Sequence, residues 1–148
     1  MTIKNQKGAA IVEFAIVLPL VILLVMGICE FGLAWYNKQV IINASREGAR
    51  AGIVRGDDFS DNGNIRLIVK NYANPRLISF NGTTLTNGDI DLDPEFPTTI
   101  REKTAPFGTD FKVEVTYNYG LLVPSLFHVG TTLTLKGLTL MKMEQIPS

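Results

Sequence analysis

The fold of this chain is decided near its start by Lys7-Gly8-Ala9-Ala10-Ile11-Val12-Glu13-Phe14-Ala15, where a basic, polar beginning gives way to a long apolar run. The run extends from Ala9 to Cys29, and Glu13 is its only charged residue. As an α-helix these residues would span about 31 Å, roughly the thickness of the hydrocarbon core of a bilayer. The sequence therefore predicts a membrane-spanning helix over residues 9–29.

Glu13 is the unusual residue of this helix, because a carboxylate in an apolar segment costs about 2.5–3.5 kcal/mol on insertion scales. One interpretation is that the side chain reaches back to the lipid headgroups. Another is that cleavage of the Gly8–Ala9 bond creates a positive amine about 6 Å along the helix axis from Glu13. That amine would pair with Glu13 of its own chain or of a neighbouring chain. The residues alone leave both interpretations open.

The same stretch resembles the class III signal of type IV pilins and pseudopilins, in which a basic residue and a glycine precede four apolar residues and a glutamate. The Glu13-Phe14 pair and the short leader are similar to the tight-adherence (Tad) branch of that family. Ala44-Ser45-Arg46-Glu47-Gly48-Ala49-Arg50 also resembles a segment of the TadE-like minor pilins, and the stretch 138–144 resembles the end of their domain. The resemblance covers residues 6–55 closely and 110–144 loosely.

The resemblance implies that a prepilin peptidase removes residues 1–8 as a leader by cutting between Gly8 and Ala9. It implies a minor pilin or pseudopilin that assembles with other pilins and pilus assembly proteins, as a homo- or hetero-oligomer, into a filament used in surface adherence. Glu13 and Phe14 would then be assembly residues. Pro19 predicts a local kink in the membrane helix that packing in a filament would use.

Charge at the two ends of the apolar run predicts its orientation. Lys4 and Lys7 precede the run and no acidic residue does, whereas the far flank carries Glu30. The positive-inside rule therefore favours a cytoplasmic N-terminus and an extracytoplasmic C-terminal domain. The localisation predicted is the bacterial cytoplasmic membrane, in contact with lipid, and then the extracellular pilus. A secretory signal cut after Ala34 is an alternative, but the run is long for one. An uncleaved single-pass protein with an outer binding domain is another.

The predicted helix continues past the membrane to residue 55. Ala44, Gly48 and Gly52 recur every four residues, and this stripe of small side chains permits close approach of another helix or of a sheet.

Charged residues lie on a different face of the same helix. Arg46 and Arg50 lie together there, and Glu47 is spaced to pair with Arg50. These residues form either a solvated face or, as the resemblance implies together with Gly48, fixed contacts between helix and domain or between subunits.

Residues 56–148 predict one small extracytoplasmic domain. Ile65, Leu67, Ile68 and Tyr72 suit a short amphipathic helix that ends at Asn74-Pro75. Alternating apolar residues predict strands over 89–93, 111–119 and from 133 onward, and in the last strand the apolar phase changes at Gly137. That change suggests a bulge or a strand covered on both faces. The fold class is therefore α+β: a long N-terminal helix (9–55) whose outer half packs on a small, mainly antiparallel sheet.

Composition argues against several other classes of protein. Fourteen basic and fourteen acidic residues leave no net charge, so there is no electrostatic signature of nucleic-acid binding. Cys29 and His128 are the only residues of their types, which leaves neither a disulfide nor a catalytic or metal-binding set. The acidic stretches 58–63 and 89–93 both depart from the calcium-binding loop that they resemble. We therefore expect neither an enzyme nor a cofactor.

Overall fold

The computed structural model of the chain describes residues 4–53, 62–93, 108, 110–126 and 132–142. Its helices are α1 (Lys4–Ile53), α2 (Asn62–Ala73) and α3 (Val123–Leu126), and a single 3₁₀ turn lies at Asn87–Asp89. Its strands are β1 (Ile90–Asp93), β2 (Asp110–Gly120) and β3 (Thr132–Lys142). They form one antiparallel sheet in the order β1-β2-β3. This is the α+β fold that the sequence predicts.

Helix α1 has two halves with different surroundings. It is 50 residues long, or about 75 Å, and it continues through Pro19. Residues 8–25 are exposed throughout, whereas from Glu30 onward buried side chains recur at helical spacing and form one stripe facing the domain. The members of that stripe are Glu30, Ala34, Asn37, Val40, Ile41, Ala44, Ser45, Gly48, Ala49 and Gly52. The outer half of the helix thus packs on the domain, as predicted.

The predicted segment boundaries are only partly visible. Helix α1 begins at Lys4, so residues 4–8 of the predicted leader continue the same helix in this uncleaved chain. The predicted end of the helix at residue 55 lies outside the described residues, as do Asp58, Ser60 and His128.

Strand β2 is the centre of the sheet and shows the predicted alternation. Its buried side chains face α1, and these are Phe111, Val113, Val115, Tyr117 and Tyr119. Its other face carries Lys112 and Glu114, whose charged groups are 3.1 Å apart. Lys136 of β3 lies 2.9 Å from Glu114, and its hydrogen bond, with that of Lys112, lowers the pKa of the Glu114 carboxyl. The outer face of the sheet is therefore polar along β2.

The prediction of a bulge or of two covered faces at Gly137 in β3 was wrong, because the strand has neither. The pairing with β2 runs without interruption from Asp110–Lys142 to Gly120–Thr132. The apolar phase changes because Leu138 and Leu140 lie on the outer face, where they are 51% and 59% exposed. An added Cβ at Gly137 would lie 2.7 Å from the carbonyl oxygen of Ile41. The glycine therefore allows the α1 backbone to lie directly on the sheet.

Both helix α2 and strand β2 pack closely on the small-residue stripe of α1. An added Cβ at Gly48 would lie 2.5 Å from Cγ2 of Val69 in α2, and one at Gly52 would overlap the ring of Phe111 in β2. Ala44 is fully buried on the same stripe. The predicted role of this stripe in close packing is confirmed within the chain itself.

Helix α2 is present, but the prediction of which residues form its buried face was partly wrong. Its buried residues are Ile65, Val69 and Ala73, spaced four apart, whereas Leu67 is exposed. Residues four apart lie on the same face of a helix, so Val69 and Ala73 are buried against α1 together with Ile65. Leu67, two residues from Ile65, lies on a different face.

We predict that Gly137→Ala lowers the free energy of unfolding by about 1–3 kcal/mol, because its methyl group meets helix backbone that cannot rotate away. The control is Gly32→Ala, since Gly32 lies on the exposed side of α1 with open space around it. The control should be unchanged or more stable by up to about 1 kcal/mol. Urea unfolding of the full chain in detergent micelles, followed by circular dichroism, measures both. Equal stability of the two variants would contradict the close approach at Gly137.

Candidate assembly surface

The predicted processing and assembly residues lie together on the inner half of α1. Gly8, Ala9, Glu13, Phe14 and Pro19 fall within about 17 Å of helix and are exposed. The side-chain carboxylate of Glu13 makes no hydrogen bond or ion pair with any residue that the structure describes. A carboxylate on an apolar helix surface needs a partner, a proton or a route to water. For Glu13 that compensation comes from outside the described fold.

The second predicted cluster separates into a packing residue and exposed charges. Gly48 is buried against α2, whereas Arg46, Glu47 and Arg50 are exposed. Arg46 Nη1 donates a hydrogen bond of 3.3 Å to Oδ1 of Asn43. The predicted pairing of Glu47 with Arg50 is not formed, and within the described part of the chain neither side chain makes a salt bridge. These three charges face away from the chain's own domain.

Glu30 is a key residue that the sequence reasoning missed. Its carboxylate is 8% exposed and accepts hydrogen bonds from the backbone N–H groups of Leu122 and Val123. The two carboxylate oxygens lie 3.2 and 3.1 Å from the Val123 nitrogen. Sequence reasoning treated Glu30 as a charge flanking the membrane segment. Its place four residues before Ala34, on the buried stripe, is the signal that would have identified it.

Two further polar residues attach α1 to the domain. Asn37 is fully buried; its Nδ2 donates to the Ile78 carbonyl at 2.7 Å and its Oδ1 accepts from the Ile78 N–H at 3.0 Å. Ser45 Oγ lies 2.7 Å from Oγ1 of Thr139 in β3. Glu30, Asn37 and Ser45 are spaced by about two helical turns, so all three lie on one face. We call them the helix–domain anchors, because each holds a different segment of the domain.

Tyr119 marks the end of the domain nearest Glu30. Its ring is fully buried, and its hydroxyl has no hydrogen-bond partner among the described residues. Burial raises the pKa of this phenol, and the charge of Glu30 raises it further. The ring of Phe80 packs against it with 6.5 Å between centroids. The end of the domain at Glu30 is therefore apolar inside.

Metal binding has no visible basis in this part of the chain. Within the described ranges, no three His, Cys, Asp or Glu side chains lie close enough to hold a metal ion. Asp89 Oδ2 instead accepts hydrogen bonds from the N–H and hydroxyl of Thr86, at 2.8 and 2.7 Å.

The fold is that of an α+β chain whose N-terminal helix is long and apolar enough to cross a membrane. The sequence model of the TadE-like protein family matches residues 8–50, which are most of α1. For this segment, the match confirms the resemblance to TadE-like proteins predicted from the sequence. No curated protein and no solved structure matches the chain.

We predict that Glu30→Ala lowers the free energy of unfolding by about 1–3 kcal/mol, because two N–H groups at the end of β2 lose a charged acceptor. The matched control is Glu47→Ala, an exposed carboxylate on the same helix, whose effect should stay within about 0.5 kcal/mol. Urea unfolding in detergent micelles compares the two variants. A Glu30→Ala variant as stable as Glu47→Ala would show that the anchor contributes nothing.

Proposed function

We propose that the chain is a minor pilin or pseudopilin, a structural subunit for assembly or initiation of a Tad-type pilus, and not an enzyme. The observation that carries this proposal is the contrast between the halves of α1. The outer half is covered by the domain, whereas residues 8–25 and Glu13 have no partner in the described fold. A surface of this kind is stable in lipid or against the helices of other subunits.

Assembly requires that this apolar surface exchange lipid for protein. Large apolar patches of folded proteins are normally covered by a partner or a membrane. In a bundle of subunits the inner halves of neighbouring α1 helices would supply that cover, with Phe14 and Pro19 in the packing surface.

Glu13 gives such a bundle its axial register. A carboxylate removed from both water and lipid headgroups strongly disfavours any arrangement that leaves it uncompensated. Cleavage after Gly8 would place the Ala9 amine one helical turn from Glu13, within reach of Glu13 of the same subunit or of a staggered neighbour. Incoming subunits would therefore stop at the position where amines and carboxylates pair.

The exposed charges of Arg46, Glu47 and Arg50 suit contacts between subunits. They point away from the domain that their own helix carries, and the basic and acidic groups are both present for pairing with an adjacent chain. The predicted orientation places them outside the cytoplasmic membrane, beyond the segment that a prepilin peptidase would process.

Processing is tested by mass spectrometry of the N-terminus of the protein isolated from its native membranes. We expect a chain that begins at Ala9, with or without an N-methyl group. A chain that begins at Trp35 would show a secretory signal instead. An intact N-terminus, in cells that process other prepilins, would favour the uncleaved, anchored binding protein.

Assembly is tested by Glu13→Ala, with Asp110→Ala as the acidic-residue control, because Asp110 is exposed on β2 and belongs to no proposed contact. Removing one partner of a buried charge pair costs about 3–5 kcal/mol, so we expect incorporation into filaments to fall by about tenfold or more. Membrane insertion and folding should be unchanged, because the Glu13 carboxylate forms no hydrogen bond or ion pair with a described residue. Quantitative immunoblots of sheared filaments and of membranes measure both quantities. Normal incorporation of Glu13→Ala would exclude the pairing mechanism.

A further inference from the structure

Strand β2 extends along the whole outer half of α1. At one end of the strand, Phe111 packs on Gly52; past the other end, the N–H of Leu122 donates to Glu30. The helix rises about 33 Å between residues 30 and 52, and eleven extended residues span about 36 Å, so the two lengths agree. The end of β2 is therefore level with Glu30.

This level is also the end of the apolar run. Glu30 directly follows Cys29, the last apolar residue of the predicted membrane segment. Met26 and Gly27 are half-buried, although Val25 and Ile28 beside them are exposed, and α3 contacts α1. The folded domain thus ends beside the last turn of the segment. If residues 9–29 span the hydrocarbon core, this end of the domain lies at its outer boundary.

Apolar side chains are exposed at this end, next to the polar Asn81. Leu122 is 36% exposed and Phe80 is 50% exposed, and Val123 and Pro124 beside Leu122 are half-buried. We call these four residues the membrane-proximal surface. Glu30, the one acidic group at this level among the described residues, is turned inward and bound by backbone N–H groups, so it adds no exposed charge.

Aromatic residues of α1 lie at the same height. Phe31 and Trp35 are exposed, and their rings stack with 6.4 Å between centroids. Exposed aromatic rings of this kind are typical of the headgroup region of a bilayer, where an apolar body and a polar edge are both accommodated. The helix and the adjoining end of the domain therefore both expose apolar side chains at the level of the lipid interface.

We propose that the membrane-proximal surface rests in the interfacial region of the lipid bilayer beside α1, so that the membrane holds the subunit at two places. This inference depends on the membrane anchorage of α1 in the proposed function. A lipid partner is favoured over a second copy of the chain because the surface lies beside the apolar helix and at the depth of the bilayer boundary. The second contact fixes the height and the rotation of the domain relative to the membrane.

The test uses the full chain in vesicles of phosphatidylcholine and phosphatidylglycerol, in a Cys29→Ser background. A single cysteine placed at Leu122 carries an environment-sensitive fluorophore. The same label at Ile16 reports membrane anchorage, and at Asn71, exposed on α2 near the far end of the domain, it reports the aqueous side. Quenching by brominated lipids is compared with quenching by aqueous iodide.

We expect quenching by brominated lipid to be several-fold greater at Leu122 than at Asn71. Quenching by iodide should be correspondingly weaker at Leu122 than at Asn71. Iodide quenching at Leu122 equal to that at Asn71, with Ile16 quenched by lipid, would overturn this inference and leave anchorage intact. A Leu122 label shielded from both quenchers would indicate a protein partner and also overturn it. Iodide quenching at Ile16 would overturn the anchorage itself and the inference with it.

A second measurement needs no substitution. The unaltered protein is photo-crosslinked in vesicles that contain a phospholipid with a diazirine in its acyl chain near the headgroup, and the adducts are located by mass spectrometry. We expect adducts on the peptide that contains Leu122 as well as on residues 9–29. Adducts confined to residues 9–29 would overturn the inference whatever the folding of the labelled variants.

Discussion

The close approach of the α1 backbone to the sheet is the constraint on which the rest of the structure depends. It occurs at Gly137, where the strand carries no side chain between itself and the helix, and at Gly52, where the helix carries none against the ring of Phe111. Larger residues there would hold helix and sheet apart by the width of a methyl group or more. The buried polar anchors require this short distance, because hydrogen bonds are lost beyond about 3.5 Å.

The anchors explain why the helix has two functional halves. Glu30, Asn37 and Ser45 attach three separate segments of the domain to one face of α1, and each is satisfied within the chain. The outer half is thereby complete as a folded unit. Among the described residues nothing comparable covers residues 8–25, which are exposed. A single helix thus combines a surface covered by its own domain with an exposed apolar surface, as the proposed filament subunit would need.

The elements with strong periodicity were predictable, and those that depend on a neighbour were not. Alternation identified β1 and β2, because each has one wet and one dry face. The same rule was misleading for β3, since Leu138 and Leu140 are apolar yet exposed, and nothing local distinguishes them from core residues. Val69 was overlooked in α2 for a similar reason. Val69 is buried because its side chain packs directly on Gly48, a contact that forms only when α2 lies on α1.

The sequence by itself determined the long apolar helix, the position of Glu13 within it, the TadE-like segment and the presence of a small sheet. Length, hydropathy and local spacing are properties of neighbouring residues, so they can be read along the chain. Tertiary structure decided the partner of Glu30, the close contact at Gly137 and the level at which the domain ends beside the membrane segment. These depend on pairs of residues up to about 95 positions apart, which only the packing of helix on sheet brings together.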